Sequence, residues 1–196
     1  MSLRINLGSG QRPFSNLCRH CNLPEHVNVP ELKEANHGHE FERNWTNVDI
    51  QERWKPDVVA DGSNMPMFAD GSAEIIVLHH TLEHYGCNEG TSMLNECYRI
   101  LASGGSLIVC VPELRQLAKM WLRNEIDTQL YLTNVYGAYI GEEGDRHRWG
   151  GDSLSWATFL MSVKPWQKVT SFDWRTIPGA DIARDDRWIC GLECVK

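Results

Sequence analysis

Gly8 and Gly10 follow the alternating stretch Leu3-Arg4-Ile5-Asn6-Leu7, and three later apolar runs each end on a polar residue: Asp49 after Trp45–Val48, Asp61 after Asp57–Ala60, and His79 after Ala73–Leu78. Glycines at a strand end remove the Cβ atoms that would hold a ligand off the backbone. A carboxylate at the next strand end can accept two hydrogen bonds from a ribose diol, and one at the third can accept from an exocyclic adenine amine. Parallel strands end on the same side of a sheet, so these positions would share one rim, where open α/β sheets bind their ligands. The chemistry they suit is the holding of a nucleoside-like group against the backbone.

The elements that must position them follow from periodicity. Leu3, Ile5 and Leu7 alternate with polar residues, the period of a strand with one face packed. The run 73–78 is apolar and β-branched, as in a strand covered on both faces. Met93, Leu94, Cys97 and Leu101 have helical spacing, and Gly104-Gly105 reads as the left-handed stop of that helix. Ser106–Val111 is a further buried strand ended by Pro112, after which Leu114, Leu117, Ala118, Trp121 and Leu122 trace one helical face. A Tyr- and Gly-containing loop is expected over 131–149, a helix from Asp152-Ser153, and two strands over 168–177 and 188–195, long enough for an antiparallel edge. Strand and helix alternate in the central third, which predicts a parallel sheet wrapped by helices. Residues 11–44 break the pattern and read as an atypical insertion, a long loop or small subdomain with a short helix near 31–35.

At 196 residues the chain is most simply one domain, 1–196, with 42% apolar residues. It has no apolar run near the roughly 20 residues that cross a bilayer, and no basic-then-apolar leader, so the expectation is a cytoplasmic protein without a membrane partner. Its seven cysteines are then reduced thiols. A net charge of −7 disfavours a nucleic-acid backbone as the main partner.

Taken in order, the motifs resemble the class I S-adenosylmethionine-dependent methyltransferases, in particular compact domains acting on small molecules or glycans. Ile5-Asn6-Leu7-Gly8-Ser9-Gly10, Asn47-Val48-Asp49 and Val58-Val59-Ala60-Asp61 are similar to that group's first three strand ends. Met65-Pro66-Met67-Phe68-Ala69-Asp70-Gly71-Ser72, Leu82-Glu83-His84, Tyr98–Leu107 and Val111-Pro112-Glu113 are similar to its later segments. Two departures stand out: Arg12 occupies the place of the third loop glycine, and the 11–44 insertion replaces the helix that usually follows.

The resemblance implies a Rossmann-like, doubly wound, mostly parallel seven-stranded sheet with an antiparallel C-terminal edge strand. It implies S-adenosyl-L-methionine as cofactor, contacted by Asn6, Gly8, Gly10, Asp49, Ile50, Asp61, Gly62 and His79, the last beside the methionine part. It also makes His147, just before the Asp152 helix, the first candidate for a general base, with His79 the second. Plainer roles stand beside these: a tight turn at the glycines, an Asx turn at Asp61, packing under the rim for His79 or His80, and an exposed loop histidine at 147. Glu83 and His84 read as ordering the loop that follows. Cys18-x-x-Cys21 with His37 and His39 has the donor types of a structural zinc. The second paired half of such a motif is missing, so the reading taken is no metal.

The expected activity is methyl transfer to a small-molecule or sugar-like acceptor. A nucleic-acid methyltransferase is the alternative, but His79-His80-Thr81-Leu82 stands where amino-methylating members carry Asp/Asn-Pro-Pro-Tyr, and no Pro-Cys nucleophile follows that strand. A non-catalytic cofactor-binding protein of the same fold is the other. An NAD fingerprint would need a small residue at Pro13 and an acid about 20 residues on. The acceptor and the oligomeric state are not legible.

Overall fold

The computed structural model describes residues 3–10, 14, 17–18, 41–42, 45–138, 143–177 and 187–196. Its centre is a seven-stranded sheet in the order β5-β4-β1-β6-β7-β9-β8. The strands are β1 (Leu3–Leu7), β4 (Thr46–Asp49), β5 (Val58–Val59), β6 (Ala73–His79), β7 (Leu101–Pro112), β8 (Lys168–Ser171) and β9 (Ile189–Val195). β1 lies parallel to both β4 and β6, β4 to β5, and β6 to β7, whereas β9 runs antiparallel between β7 and β8. From β1 the chain adds strands first on one side and then on the other. That reversal opens a crevice beyond the carboxyl ends of β1, β4 and β6. The sheet is the doubly wound, mostly parallel one expected, with antiparallel strands at its C-terminal side.

Alternation along the strands divides the core between two faces. Ile5, Leu7, Ile76, Leu78, Leu107 and Val109 point one way, against helices α1 (Cys87–Ile100) and α4 (Ser153–Val163). Val77, Ile108 and Cys110 point the other way, against Phe14, Trp45 and Trp174. Each fully covered aliphatic side chain contributes about 1.5–3 kcal/mol, so a one-residue slip in register would invert the whole pattern.

Several boundaries differ from expectation. α1 begins earlier, at Cys87, because Glu89 Oε2 accepts from the Gly86 N–H at 2.9 Å and closes its first turn. The helix is not stopped by Gly104-Gly105. It ends at Ile100, Leu101 pairs at once with Ala73, and the two glycines sit inside β7. There Gly104 takes φ +76° and donates to the Lys196 carbonyl at 2.8 Å, across an irregularity in the β6–β7 register. α2 (Leu114–Leu122) buries Leu117 and Met120, whereas Trp121 and Leu122 are exposed. Part of the stretch expected as loop is helical: α3 (Thr128–Tyr136) starts where Asp127 accepts from the Leu130 N–H at 2.7 Å. β8 is shorter than expected because Asp173 caps a 3-10 turn, Trp174–Thr176, that buries Trp174. Within 11–44, β2 (Leu17–Cys18) pairs antiparallel with β3 (Phe41–Glu42), joining the ends of the insertion. The helix expected near 31–35 lies outside the described residues.

Candidate functional site

β1 runs into the glycine turn, whose backbone is fixed by Val48: the Gly8 and Ser9 N–H groups donate to its carbonyl at 2.8 and 3.1 Å. Gly8 (φ +73°) lies so close to Thr81 that a Cβ would come within 2.4 Å of its Oγ1. That hydroxyl in turn donates to the Leu7 carbonyl at 2.9 Å. Gly10 (φ +51°) has no atom of the described residues within 4 Å of where its Cβ would stand. Its N–H donates to Asp49 Oδ2 at 2.7 Å, and Asp49 Oδ1 accepts from the Gln51 N–H at 2.8 Å. The acid at the end of β4 is therefore buried and pre-aimed beside the turn.

Gly8, Gly10, Asp49, Ile50, Trp54 and Gly62 line the crevice together with His80, Thr81, His84 and Tyr85, and Gly144 and Asp145 line it as well. Burial first, then the charges of Asp61 and Asp49, push the Tyr85 phenol up to about 12, so it stays a hydrogen-bond donor. A cradle of this kind, with a carboxylate, a bare Gly10 and the side chains of Trp54 and Tyr85, fits an adenosyl group.

The other expected positions are arranged differently. Asn6 is not brought to the crevice. It is buried on the far face of β1, donating to Asn47 Oδ1 at 2.9 Å, and Asn47 in turn holds both backbone polar groups of Phe14. Asp61 is exposed and makes an Asx turn, its Oδ1 accepting from the Ser63 N–H at 2.8 Å and its hydroxyl at 2.9 Å. The neighbouring Gly62 reaches the crevice instead. His79 packs toward Trp174, ring centres 5.1 Å apart, because strand alternation sends it to the face of Val77. His80 turns into the crevice in its place, through a left-handed backbone at φ +53°.

Behind His80 lies Glu83, 1% exposed, whose Oε1 is 3.0 Å from His80 Nδ1. Burial works to raise the Glu83 carboxyl, but the His80 hydrogen bond and the imidazoles of His80, His84 and His147 outweigh it and hold it below its ordinary value of 4.5. The Glu83 carbonyl accepts from the Arg148 and Trp149 N–H groups at 2.8 and 3.1 Å, which draws the 143–149 segment onto the turn Leu82–His84. His147 thereby meets His84 edge to face, ring centres 4.8 Å apart, and its Nδ1 lies 2.9 Å from the Asn134 carbonyl. Burial lowers the His147 pKa, against the pull of Glu83. The sequence reading missed His80 as the crevice histidine. Its signal, a histidine just past a strand of fixed alternation, needs the strand's last residue to be known. Of the suggested zinc set, the side chain of Cys18 and all of Cys21, His37 and His39 lie outside the described residues.

Comparison with known proteins agrees with this fold. The chain matches the family described as "Methyltransferase domain" over residues 27–109. No curated relative matches it. Among solved structures, a SAM-dependent methyltransferase from Archaeoglobus fulgidus aligns over 100% of this chain and 86% of its own, with TM-score 0.54 and 13% identity. A Burkholderia thailandensis 1,6-didemethyltoxoflavin-N1-methyltransferase, holding that compound and S-adenosylhomocysteine, aligns over 100% and 71%, with TM-score 0.50 and 13% identity. Human N-acetylserotonin methyltransferase in complex with SAM aligns over 99% and 47%, with TM-score 0.53 and 16% identity. The sheet order is the fold these SAM-dependent methyltransferases share, and residues 27–109 are similar to the methyltransferase domain family.

Proposed function

We propose that the chain methylates a small-molecule or sugar-like acceptor, as a single domain that needs neither nucleic acid nor membrane. The observation that carries this reading is one crevice lined both by the glycine–aspartate rim and by His80 and His84. The rim suits the adenosyl group, and the two histidines suit a compact acceptor. A net charge of −7 argues against a polyanionic one.

In this reading Asp49 accepts from the ribose hydroxyls, and Gly8, Gly10, Ile50 and Gly62 give the ligand close backbone approach. When bound, the cofactor supplies a methyl group already activated on a sulfonium. What the protein adds is alignment of acceptor and methyl, which can supply roughly 7–11 kcal/mol. Where the acceptor carries a proton that must leave, His80 is the group at hand, held in orientation by ionised Glu83 on its Nδ1. His80 takes over the role expected of His79.

The test is a thermal shift followed by turnover. S-adenosylhomocysteine at a hundred times its dissociation constant should add about 2.7 kcal/mol of stability, and NAD none. A panel of hydroxylated and amine acceptors with S-adenosylmethionine as donor, and formation of S-adenosylhomocysteine as the readout, then identifies the substrate. No shift at millimolar S-adenosylhomocysteine would defeat the reading.

A further inference from the structure

We propose that Glu83, His84 and His147 form a binding site for one divalent first-row transition-metal ion, zinc being the best fit to the donor set, beside the crevice that His84 lines. One ligating atom from each of these residues lies within 4.8 Å of the other two. Two imidazoles and one carboxylate with room for an exogenous ligand are the donor set of catalytic zinc and of related metal centres.

An independent observation points the same way. Glu83 is 1% exposed, and its Oε2 is buried without a hydrogen-bond partner among the described residues, although its Oε1 is held by His80. A buried carboxylate oxygen left without a partner is costly, and a cation is what would satisfy it. The histidines are also set up as ligands. His84 Nδ1 lies 3.2 Å from the Arg146 carbonyl and His147 Nδ1 lies 2.9 Å from the Asn134 carbonyl. Each ring therefore donates through Nδ1 to backbone, which fixes the tautomer that leaves Nε2 with its lone pair. Donors about 2.0–2.2 Å from a tetrahedral ion lie about 3.3–3.6 Å apart. The cluster needs only modest closing, within the rotation of the half-buried His84 and His147 rings.

The inference deepens the proposed function and rests on it for its purpose: an ion here would hold the acceptor through an oxygen or nitrogen lone pair, selecting acceptors that can coordinate a metal. The buried carboxylate and tautomer-fixed imidazoles argue for the ion whether or not that purpose holds.

The experiment is a titration of the chelator-stripped full chain with Zn²⁺ and Co²⁺, with S-adenosylhomocysteine binding measured in parallel by thermal shift. We expect the histidine site to take one ion per chain, with cobalt d–d bands and no thiolate charge-transfer band from it. That equivalent should be lost in His84→Ala and in His147→Ala, the latter still binding S-adenosylhomocysteine, and kept in the double variant Cys18→Ser/Cys21→Ser. Should either alanine variant fail to fold, His84→Asn and His147→Gln replace it. Failure of the wild-type chain to take up either ion overturns the site, as does retention in both histidine variants or loss in the cysteine variant. Absence of an S-adenosylhomocysteine shift in the wild type would instead strike the methyltransferase reading, and the metal titration would still give its own answer.

Discussion

Asp49 has two duties that a single substitution separates. Its carboxylate fixes the Gly10 and Gln51 N–H groups, and in the proposed function it also meets the ribose. Asp49→Ala should therefore lower the apo melting temperature by an amount corresponding to about 1–3 kcal/mol and abolish most of the S-adenosylhomocysteine shift. A destabilised variant with the full shift would show that the ribose lies elsewhere. His80 poses a different question, because its left-handed backbone costs an L-residue about 1–2 kcal/mol and strain of this kind gathers at functional positions. His80→Gly should fold more stably than His80→Ala by about 1 kcal/mol, by denaturant melts. Both should lose turnover with proton-bearing acceptors by roughly 10²–10⁴-fold, while the cofactor shift persists. Equal stability of the two variants would mean that the φ value carries no strain.

Between elements, one clasp joins α1 to the turn before β6. Glu96 takes both Arg99 Nε and Nη2 at 2.8 Å and also accepts from the Met65 N–H at 2.7 Å, while Arg99 reaches the Phe68 carbonyl at 2.9 Å. The Arg99 hydrogen bonds, outweighing partial burial, hold the Glu96 carboxyl below its ordinary 4.5. A depressed carboxylate contributes stability that is present above its unfolded pKa and lost as pH falls through its folded one. Melts should show that loss on acidification below about pH 4.5, and Glu96→Gln should remove this part of the pH dependence at a cost of about 1–3 kcal/mol. The same scale shows what could be read from residues alone. β1 was legible from its alternation, β6 from its continuous apolar, β-branched run, and both, like β4, end on a polar or turn residue. α3 was not, because its buried contacts are few: it buries no residue fully and is held by an Asp127 cap and by Tyr131 stacked on Trp121. The end of α1 was misread because a glycine pair that suits a helix stop serves equally inside an irregular strand. For the site, the glycines and Asp49 were visible as strand-end chemistry. The grouping of Glu83, His84 and His147 was not, because backbone hydrogen bonds between segments about sixty residues apart in sequence create it.

Over the whole molecule, the described cysteines divide by burial. Cys97, Cys110, Cys190 and Cys194 are buried in the sheet and its helices, and Cys87 is exposed at the start of α1. Burial pushes the thiols of Cys97 and Cys194 up to about 12 and that of Cys190 to about 11, and raises Cys110 as well. In a Cys18→Ser/Cys21→Ser background, Cys87 alone should react with a thiol reagent in the native state, the other four following only at the rate of global unfolding. Prompt labelling of Cys194 would show that the β9 side opens on its own. That outcome matters because β9 is seated between β7 and β8, and β8 has no other neighbour among the described strands. On a ribosome, residues 168–171 emerge before the strand that docks them, and the outer edge of β7 waits unpaired for 189–195. Such an edge is a template for other chains, so the nascent polypeptide should depend on chaperone shielding until its last strand arrives. A refolding assay at rising protein concentration, with and without a holdase, would measure that exposure as aggregation.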